Sequence, residues 1–224
     1  ILASNIDLLV MVITIKDPIT TTSFIDRFLV NAEAYSIETL LVFNKYDIYN
    51  KEEQNKIDNL VEIYSNIGYK CLLTSTINNF NIKNLKEEVT KKTIMFGGHS
   101  GVGKTSLINA IDSSLELKVG DISSQHLQGK HTTTYAELFD LDSNTKLIDT
   151  PGIKGFGLVN FKKEEISDFF PEFLREKNKC KFSNCLHLNE PNCLIKEMVK
   201  KNIISGSRYE NYIQILNDEN LKHR

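Results

Sequence analysis

The sequence predicts an α/β fold, a mostly parallel sheet with helices on both faces, followed by a small helical region. Three observations predict it. Strand-like apolar runs alternate with amphipathic helical runs through the first two-thirds of the 224 residues. A glycine-rich loop, GHSGVGKT from Gly98, falls between one such strand and one such helix. Past about residue 160 the pattern turns helical and is interrupted by cysteines and a histidine. Alternation implies parallel pairing, because each parallel crossover needs a helix and the helices then cover both faces.

The elements follow in order. DLLVMVITI (7–15) is a continuous apolar run, the pattern of a strand buried on both faces. TTSFIDRFLVNAEAY (21–35) has helical periodicity and ETLLVF (38–43) is the next strand. KEEQNKIDNLVEIYSNI (51–67) is a helix that Gly68 should stop. KCLLTS (70–75) is a strand, IKNLKEEVT (82–90) a short helix, and KTIMFG (92–97) a strand that feeds the glycine loop. TSLINAI (105–111) continues as a helix with Leu107, Ile108 and Ile111 as its buried stripe. YAELFDL (135–141) and TKLIDT (145–150) are close enough to form a hairpin.

Composition is that of an ordinary globular chain, 41% hydrophobic and 25% charged. A net charge of −2 carries no global nucleic-acid signature. There is no apolar run of transmembrane length and no secretory signal pattern, so the expected location is the cytoplasm. Four cysteines in such a chain are expected to be reduced thiols or metal ligands. The first residue is Ile1 rather than Met, so a missing N-terminal part is expected.

G-x-x-x-x-G-K-[ST] is specific: it should arise by chance in under ~1% of such chains. Its strand–loop–helix setting is that of a phosphate-binding loop, the alternative being a glycine-rich turn with no ligand. Across Gly98, His99, Ser100, Gly101, Val102 and Gly103, backbone N–H groups can converge on phosphate oxygens, aided by the helix N-terminus. Lys104 should reach the β- and γ-phosphates, Thr105 should offer its hydroxyl to Mg²⁺, and Ser106 follows. Asp149, ending the strand before DTPG, fits the second metal-side carboxylate, and the Gly152 N–H could sense the γ-phosphate.

NKYD, Asn44 to Asp47, ends the strand ETLLVF. Asp47 can accept from N1–H and the 2-amino group of guanine, donors that adenine lacks, while Asn44 braces the loop, Lys45 lies along the base and Tyr46 sits between. One helix and one strand later, Ser75 and Thr76 supply a second base loop, with the Ser75 N–H meeting the guanine carbonyl. The order is then guanine loops, phosphate loop, switch segment, DTPG, a cyclic rotation of the usual GTPase order. Surface termini that lie close together allow such a rotation. The old ends would be joined between 90 and 92.

The order NKYD, TST, GHSGVGKTSLIN, GKHTTT and DTPGIKGFGL, then a Cys/His cluster, resembles the RsgA (YjeQ) family of small-subunit-dependent ribosomal GTPases. The resemblance implies a circularly permuted P-loop GTPase domain (1–158) and a C-terminal helical zinc-binding domain (159–224). It implies GTP/GDP, Mg²⁺ and one Zn²⁺ as ligands, the small ribosomal subunit and its rRNA as partner, and a monomer acting in late subunit maturation. An N-terminal oligonucleotide-binding barrel is usual in the family and would precede this sequence. The family usually has Ala where Thr76 stands. A GTP-gated ribosome-binding module, in which hydrolysis only resets occupancy, is the rival reading.

Cys180, Cys185, His187 and Cys193 form C-x₄-C-x-H-x₅-C, enough for a closed tetrahedral zinc site. Spacing alone leaves zinc and a set of reduced thiols open, and the resemblance implies zinc. Cys71, in an apolar strand, is expected in the core. The basic stretches LREKNKCKF and KEMVKKN fit solvated faces or an RNA surface. Catalysis is expected from Lys104, Thr105, Asp149, Gly152 and a switch threonine among Thr132, Thr133 and Thr134. Ile153 stands where other GTPases carry a water-orienting Gln, so slow intrinsic turnover is expected. His131 is the candidate for placing water, His99 a weaker one, and a solvent-exposed loop histidine the alternative. The segment after DTPG, through Gly155 and Gly157, is expected to pass the nucleotide state onward.

Overall fold

In a computed structural model, residues 5–112, 137–141, 144–149 and 161–218 are described. The chain forms two compact units, one of Ile1–Thr20 and Ile37–Gly155, the other of Thr21–Ser36 and Phe156–Arg224.

The first unit is built on a six-stranded sheet. Its strands are β1 (Leu8–Ile13), β2 (Glu38–Phe43), β3 (Lys70–Leu73), β4 (Thr93–Gly97), β5 (Glu137–Asp140) and β6 (Lys146–Asp149), in the order β3-β2-β1-β4-β6-β5. All pairings are parallel except β5 with β6, the expected hairpin. β1 lies at the centre and all six of its residues are buried, as its unbroken apolar run demands. Helices α3 (Ile82–Val89) and α4 (Lys104–Ile111) pack Ile82, Leu85, Val89, Leu107, Ile108 and Ile111 onto Leu8, Val10 and Val12. The alternate residues Leu9, Met11 and Ile13 are buried as well. Cys71 departs from its expected core position: β3 is an edge strand, so the thiol is only half-buried.

Helix α2 (Lys51–Asn66) starts directly after the NKYD turn and is closed at both ends. Asn50 and Glu53 form a reciprocal capping box, Glu53 N–H to Asn50 Oδ1 at 2.9 Å and Asn50 N–H to Glu53 Oε2 at 2.8 Å. At the other end Gly68, at φ 111°, allows Tyr69 N–H to reach Tyr64 O at 3.0 Å and stops the helix where expected. Between α3 and β4 only residues 90–92 intervene, so the joint that a rotated order requires is a tight turn, pinned by Lys91 N–H to Thr145 Oγ1 at 2.9 Å.

The second unit takes in α1 (Thr22–Ala34), which the sequence had assigned to the GTPase domain. Its other α-helices among the described residues are α5 (Lys163–Ile166), α6 (Pro171–Leu174), α7 (Leu194–Lys200) and α8 (Gly206–Leu216). Val30 of α1 shares a core with Phe170, Phe173, Ile195, Tyr212 and Ile215. Beside that core lies a fully buried ionic group. Arg208 holds Glu172 bidentately, at 2.8 and 3.0 Å, and Asp26 at 2.6 Å. Asn211 also donates to Asp26, at 2.6 Å, and the Phe170 ring lies 4.5 Å from the guanidinium carbon.

No helix among the described residues is long and apolar enough to cross a membrane.

Removing one member of a buried ion group strands its partners' charge, which typically costs ~3–5 kcal/mol. Arg208→Met should therefore lower unfolding stability by about that amount in urea titrations of the whole chain. Amide exchange should accelerate in 22–34 and 163–216 first. Wild-type stability in this variant would show that the ion group adds no net stability to the fold.

Candidate functional site

The glycine loop joins β4 to α4. Gly103 caps α4 at φ 97°, and a Cβ there would sit 2.4 Å from Asn44 Nδ2. Gly98, at φ 133°, is equally constrained, with a Cβ 2.4 Å from the Val12 carbonyl oxygen. Between them Val102 is buried in the sheet core and anchors the loop, while Ser100 and Gly101 stay exposed. Lys104 Nζ donates to the carbonyls of Gly98 and His99, both at 2.8 Å, so the ammonium is folded over the loop. Thr105 is buried in the first turn of α4, and Ser106 beside it is half-buried. Burial, then the Lys104 charge, holds the His99 imidazole below its ordinary pKa, so near neutral pH it is uncharged.

The base loop leaves β2 at Asn44, which is 2% exposed. Its amide ties two loops together: Nδ2 donates to Val102 O at 2.9 Å and Oδ1 accepts from Thr74 Oγ1 at 3.0 Å. Lys45 takes φ 64° and directs Nζ to the Asp17 carbonyl. Tyr46 N–H donates to Thr74 O at 3.0 Å, and its ring stacks on Phe80 at 5.6 Å. Asp47 is exposed, and its Oδ1 accepts from the buried Ser75 hydroxyl.

One expected role changes here. The Ser75 N–H donates to Phe80 O at 3.1 Å, closing a bridge, so it is not the donor for a guanine carbonyl. Ser75 instead orients Asp47 through its side chain. The Thr76 N–H makes no hydrogen bond among the described residues.

Asp149 closes β6, whose parallel partner is β4. Gly152, His131, Thr132, Thr133, Thr134 and the segment from Ile153 through Gly155 and Gly157 lie outside the described residues. Sequence patterns carry no signal for Tyr49 or the loop 14–20, although both contact the NKYD loop.

A second constellation lies in the other unit. Ligand atoms of Cys180, Cys185, His187 and Cys193 all fall within 4.8 Å of one another. His187 Nδ1 lies 3.8 Å from Cys180 Sγ and 3.4 Å from Cys193 Sγ. A tetrahedral zinc with Zn–S of about 2.3 Å and Zn–N of about 2.0–2.1 Å requires N···S edges near ~3.6 Å. The donor set therefore fits the ion. Nδ1 faces the sulfurs, and Nε2 is the one buried side-chain polar atom without a partner among the described residues. Burial pushes the Cys185 thiol up to about 12, raises Cys193 as well, and lowers His187. Left to themselves the Cys185 and Cys193 thiols stay protonated; a divalent cation, when bound, would supply the charge that ionises them. The loop around His187, which sits at φ 59°, is stapled by Tyr209 OH to His187 O at 2.6 Å and Tyr212 OH to Leu186 O at 2.8 Å.

Gly103→Ala tests the link between the two nucleotide loops. It places a methyl at positive φ, about 1–2 kcal/mol, against an amide held by two hydrogen bonds. GDP affinity should fall at least about tenfold in equilibrium titrations. Unchanged affinity would show that Asn44 can leave Val102 without cost.

The RsgA GTPase family model matches residues 1–159. Proteins named small ribosomal subunit biogenesis GTPase RsgA are similar over the whole chain. That of Christiangramia forsetii is 51% identical, the match covering 100% of this chain and 71% of the relative. That of Flavobacterium psychrophilum is 52% identical, covering 100% and 69%. Among solved structures, YjeQ from Thermotoga maritima superposes with a TM-score of 0.82 at 37% identity, over 98% of this chain and 73% of that one. YloQ, a circularly permuted GTPase, gives 0.77 at 30% identity, over 95% and 67%. With a rotated motif order, a phosphate loop locked to a base loop, and these relatives, the chain belongs to the RsgA GTPase family.

Proposed function

We propose that the chain binds GTP through Gly98–Ser106, Asn44–Asp47 and Ser75–Thr76, hydrolyses it to GDP and phosphate, and serves biogenesis of the small ribosomal subunit. The observation that carries the nucleotide reading is the Asn44 amide bound to Val102 O, which locks a guanine-type loop onto a phosphate loop. The family match and the relatives' names support the ribosomal role. The partner is the small subunit and its rRNA, engaged by a cytoplasmic monomer.

Each residue has a chemical task. Lys104 places its ammonium among the loop carbonyls, where it meets β- and γ-phosphate oxygens. Glycine-loop amides and the α4 N-terminus add donors. Asp47 accepts from the base edge, Lys45 covers the base, and the Thr76 amide meets the guanine carbonyl. Magnesium, when bound, neutralises developing phosphate charge; Thr105, Asp149 and a threonine among Thr132 to Thr134 would hold it or its waters. Zinc, when bound, crosslinks Cys180, Cys185, His187 and Cys193 as a structural ion.

Single-turnover GTP hydrolysis with and without small subunits tests this reading. Turnover alone should be slow, on the order of the unassisted Ras rate, ~10⁻⁴ s⁻¹, and the subunit should raise it severalfold or more. Absence of stimulation would favour a GTP-gated binding module. In the same assay His131→Ala should keep GTP affinity and lose most of the stimulated turnover. Full stimulation in that variant would remove His131 from the mechanism.

Cys193→Ser removes a ligand that is also a buried core residue and the N-cap of α7. It should release about one zinc per chain by metal analysis and abolish exchange protection in 163–216, since metal-binding energy there is folding energy. GDP affinity should stay near wild type. Intact protein devoid of zinc would refute the site.

A further inference from the structure

The parallel ladder between β1 and β2 runs from Leu8 opposite Glu38 to Ile13 opposite Phe43. Its last main-chain bond is Asn44 N–H to Ile13 O at 2.9 Å. In a parallel ladder the next rung would run from the Ile15 N–H to the Asn44 carbonyl. Both groups turn instead to one side chain. Ile15 N–H donates to Tyr49 Oη at 3.3 Å, and the Tyr49 hydroxyl donates to Asn44 O at 3.0 Å. An oxygen atom is thus inserted into the ladder where the strands hand over to the site loops. Two hydrogen bonds in series separate the chains where one would otherwise draw them together.

We propose that Tyr49 is a positioning residue for base recognition, its hydroxyl setting the separation at which Asn44–Asp47 can read guanine. This rests on NKYD being the base-reading loop.

Several features make the hydroxyl a fixed spacer. Tyr49 is 5% exposed, so little water can substitute for it. Burial, above all, pushes its phenol up to about 12, and the hydroxyl remains a donor throughout the physiological range. Its backbone is pinned on the far side: Gln54 Nε2 donates to Tyr49 O at 3.2 Å, and Asn50, the next residue, is the capping-box residue of α2. The turn Tyr46–Ile48 folds the chain back so that the ring reaches under the loop from which it departs. Above the spacer, Lys45 reaches across the widened gap to Asp17 O. Asp47 is exposed and is held by the Ser75 hydroxyl, so its placement against a base follows from where the Asn44 backbone is set. Without the hydroxyl the Ile15 amide and Asn44 carbonyl are either stranded or close into a direct rung. Either outcome moves the loop.

The test compares GDP with inosine diphosphate, which lacks the 2-amino donor that Asp47 would accept. Affinities are measured on the whole chain, wild type, Tyr49→Phe and Asp47→Asn. Wild type should prefer GDP, and Tyr49→Phe should weaken GDP about tenfold and inosine diphosphate less, so the preference shrinks. A preference kept at its wild-type value in Tyr49→Phe, including equal weakening of both nucleotides, overturns the proposal. Asp47→Asn separates the two levels: if it too keeps the preference, NKYD does not read the base and both assignments fall. If Asp47→Asn abolishes the preference and Tyr49→Phe does not, the spacer alone falls. Amide exchange at Ile15 supplies a measurement that needs no variant. Protection in the wild-type chain supports the inserted rung, and exchange at the rate of an unbonded amide overturns it.

Discussion

One buried amide organises the proposed nucleotide site. Asn44 is at once the end of β2, the start of the base loop, and a donor to the carbonyl of Val102 in the phosphate loop. Its other amide atom accepts from Thr74, which leads into the second base loop. Three loops that are far apart in sequence therefore share one hydrogen-bonded side chain, 2% exposed, in a setting where an unmade bond costs ~1–3 kcal/mol. The glycine at 103 belongs to the same constraint, because any Cβ there would occupy the Asn44 nitrogen's place.

That constraint explains why the motif order can rotate without disturbing the site. The proposed nucleotide site is the meeting of strand ends at one edge of the sheet, and β1, β2 and β4 lie side by side in order β2-β1-β4. Sequence order matters only to the connections. The new joint at 90–92 lies at the opposite end of β4 from the glycine loop, where Asp7 N–H and Thr93 O still pair at 2.9 Å. The site edge is left untouched.

Local chemistry was legible in the sequence; long-range partnerships were not. The glycine loop, NKYD and the Cys/His cluster each lie within a short stretch, where the grouping of residues can be read from spacing, although spacing alone left zinc and reduced thiols open for the cluster. Parallel pairing followed from alternation and the β5–β6 hairpin from a short connection; the order of the strands did not. The Ser75 amide, expected to meet a guanine carbonyl, is consumed by Phe80, a pairing that spacing does not reveal. Arg208 and Asp26 are 182 residues apart, and each alone is an ordinary charged residue on a helix. Helix α1 falls with the second unit although its sequence neighbours are strands of the first; its apolar face says that it is buried and leaves open against what. Tyr49 followed a recognised motif closely, yet an aromatic there fits a core residue as well as a spacer.

The second unit shows why a buried ion group and a Cys₃His cluster occur together. Its helices are short: α5 and α6 have 4 residues each, α7 has 7 and α8 has 11. Helices of that length are marginal in isolation and must be held by tertiary contacts. Apolar burial supplies part of this, through Phe170, Phe173 and Tyr212, whose rings meet at 4.9–5.3 Å. It is not directional and does not by itself specify how short helices are arranged. The Arg208 fork does: bidentate geometry toward Glu172 and a third bond to Asp26 fix α8 against α6 and α1 in one arrangement. A metal ion held by the Cys₃His cluster would do the same for the segment 180–193, which has little regular structure of its own. The two devices meet on one aromatic surface, since Phe173 stands edge-on to His187 at 5.8 Å while its neighbour Phe170 carries the guanidinium. Directional bonds, ionic on one side and donor-set on the other, thus specify what a core this small cannot.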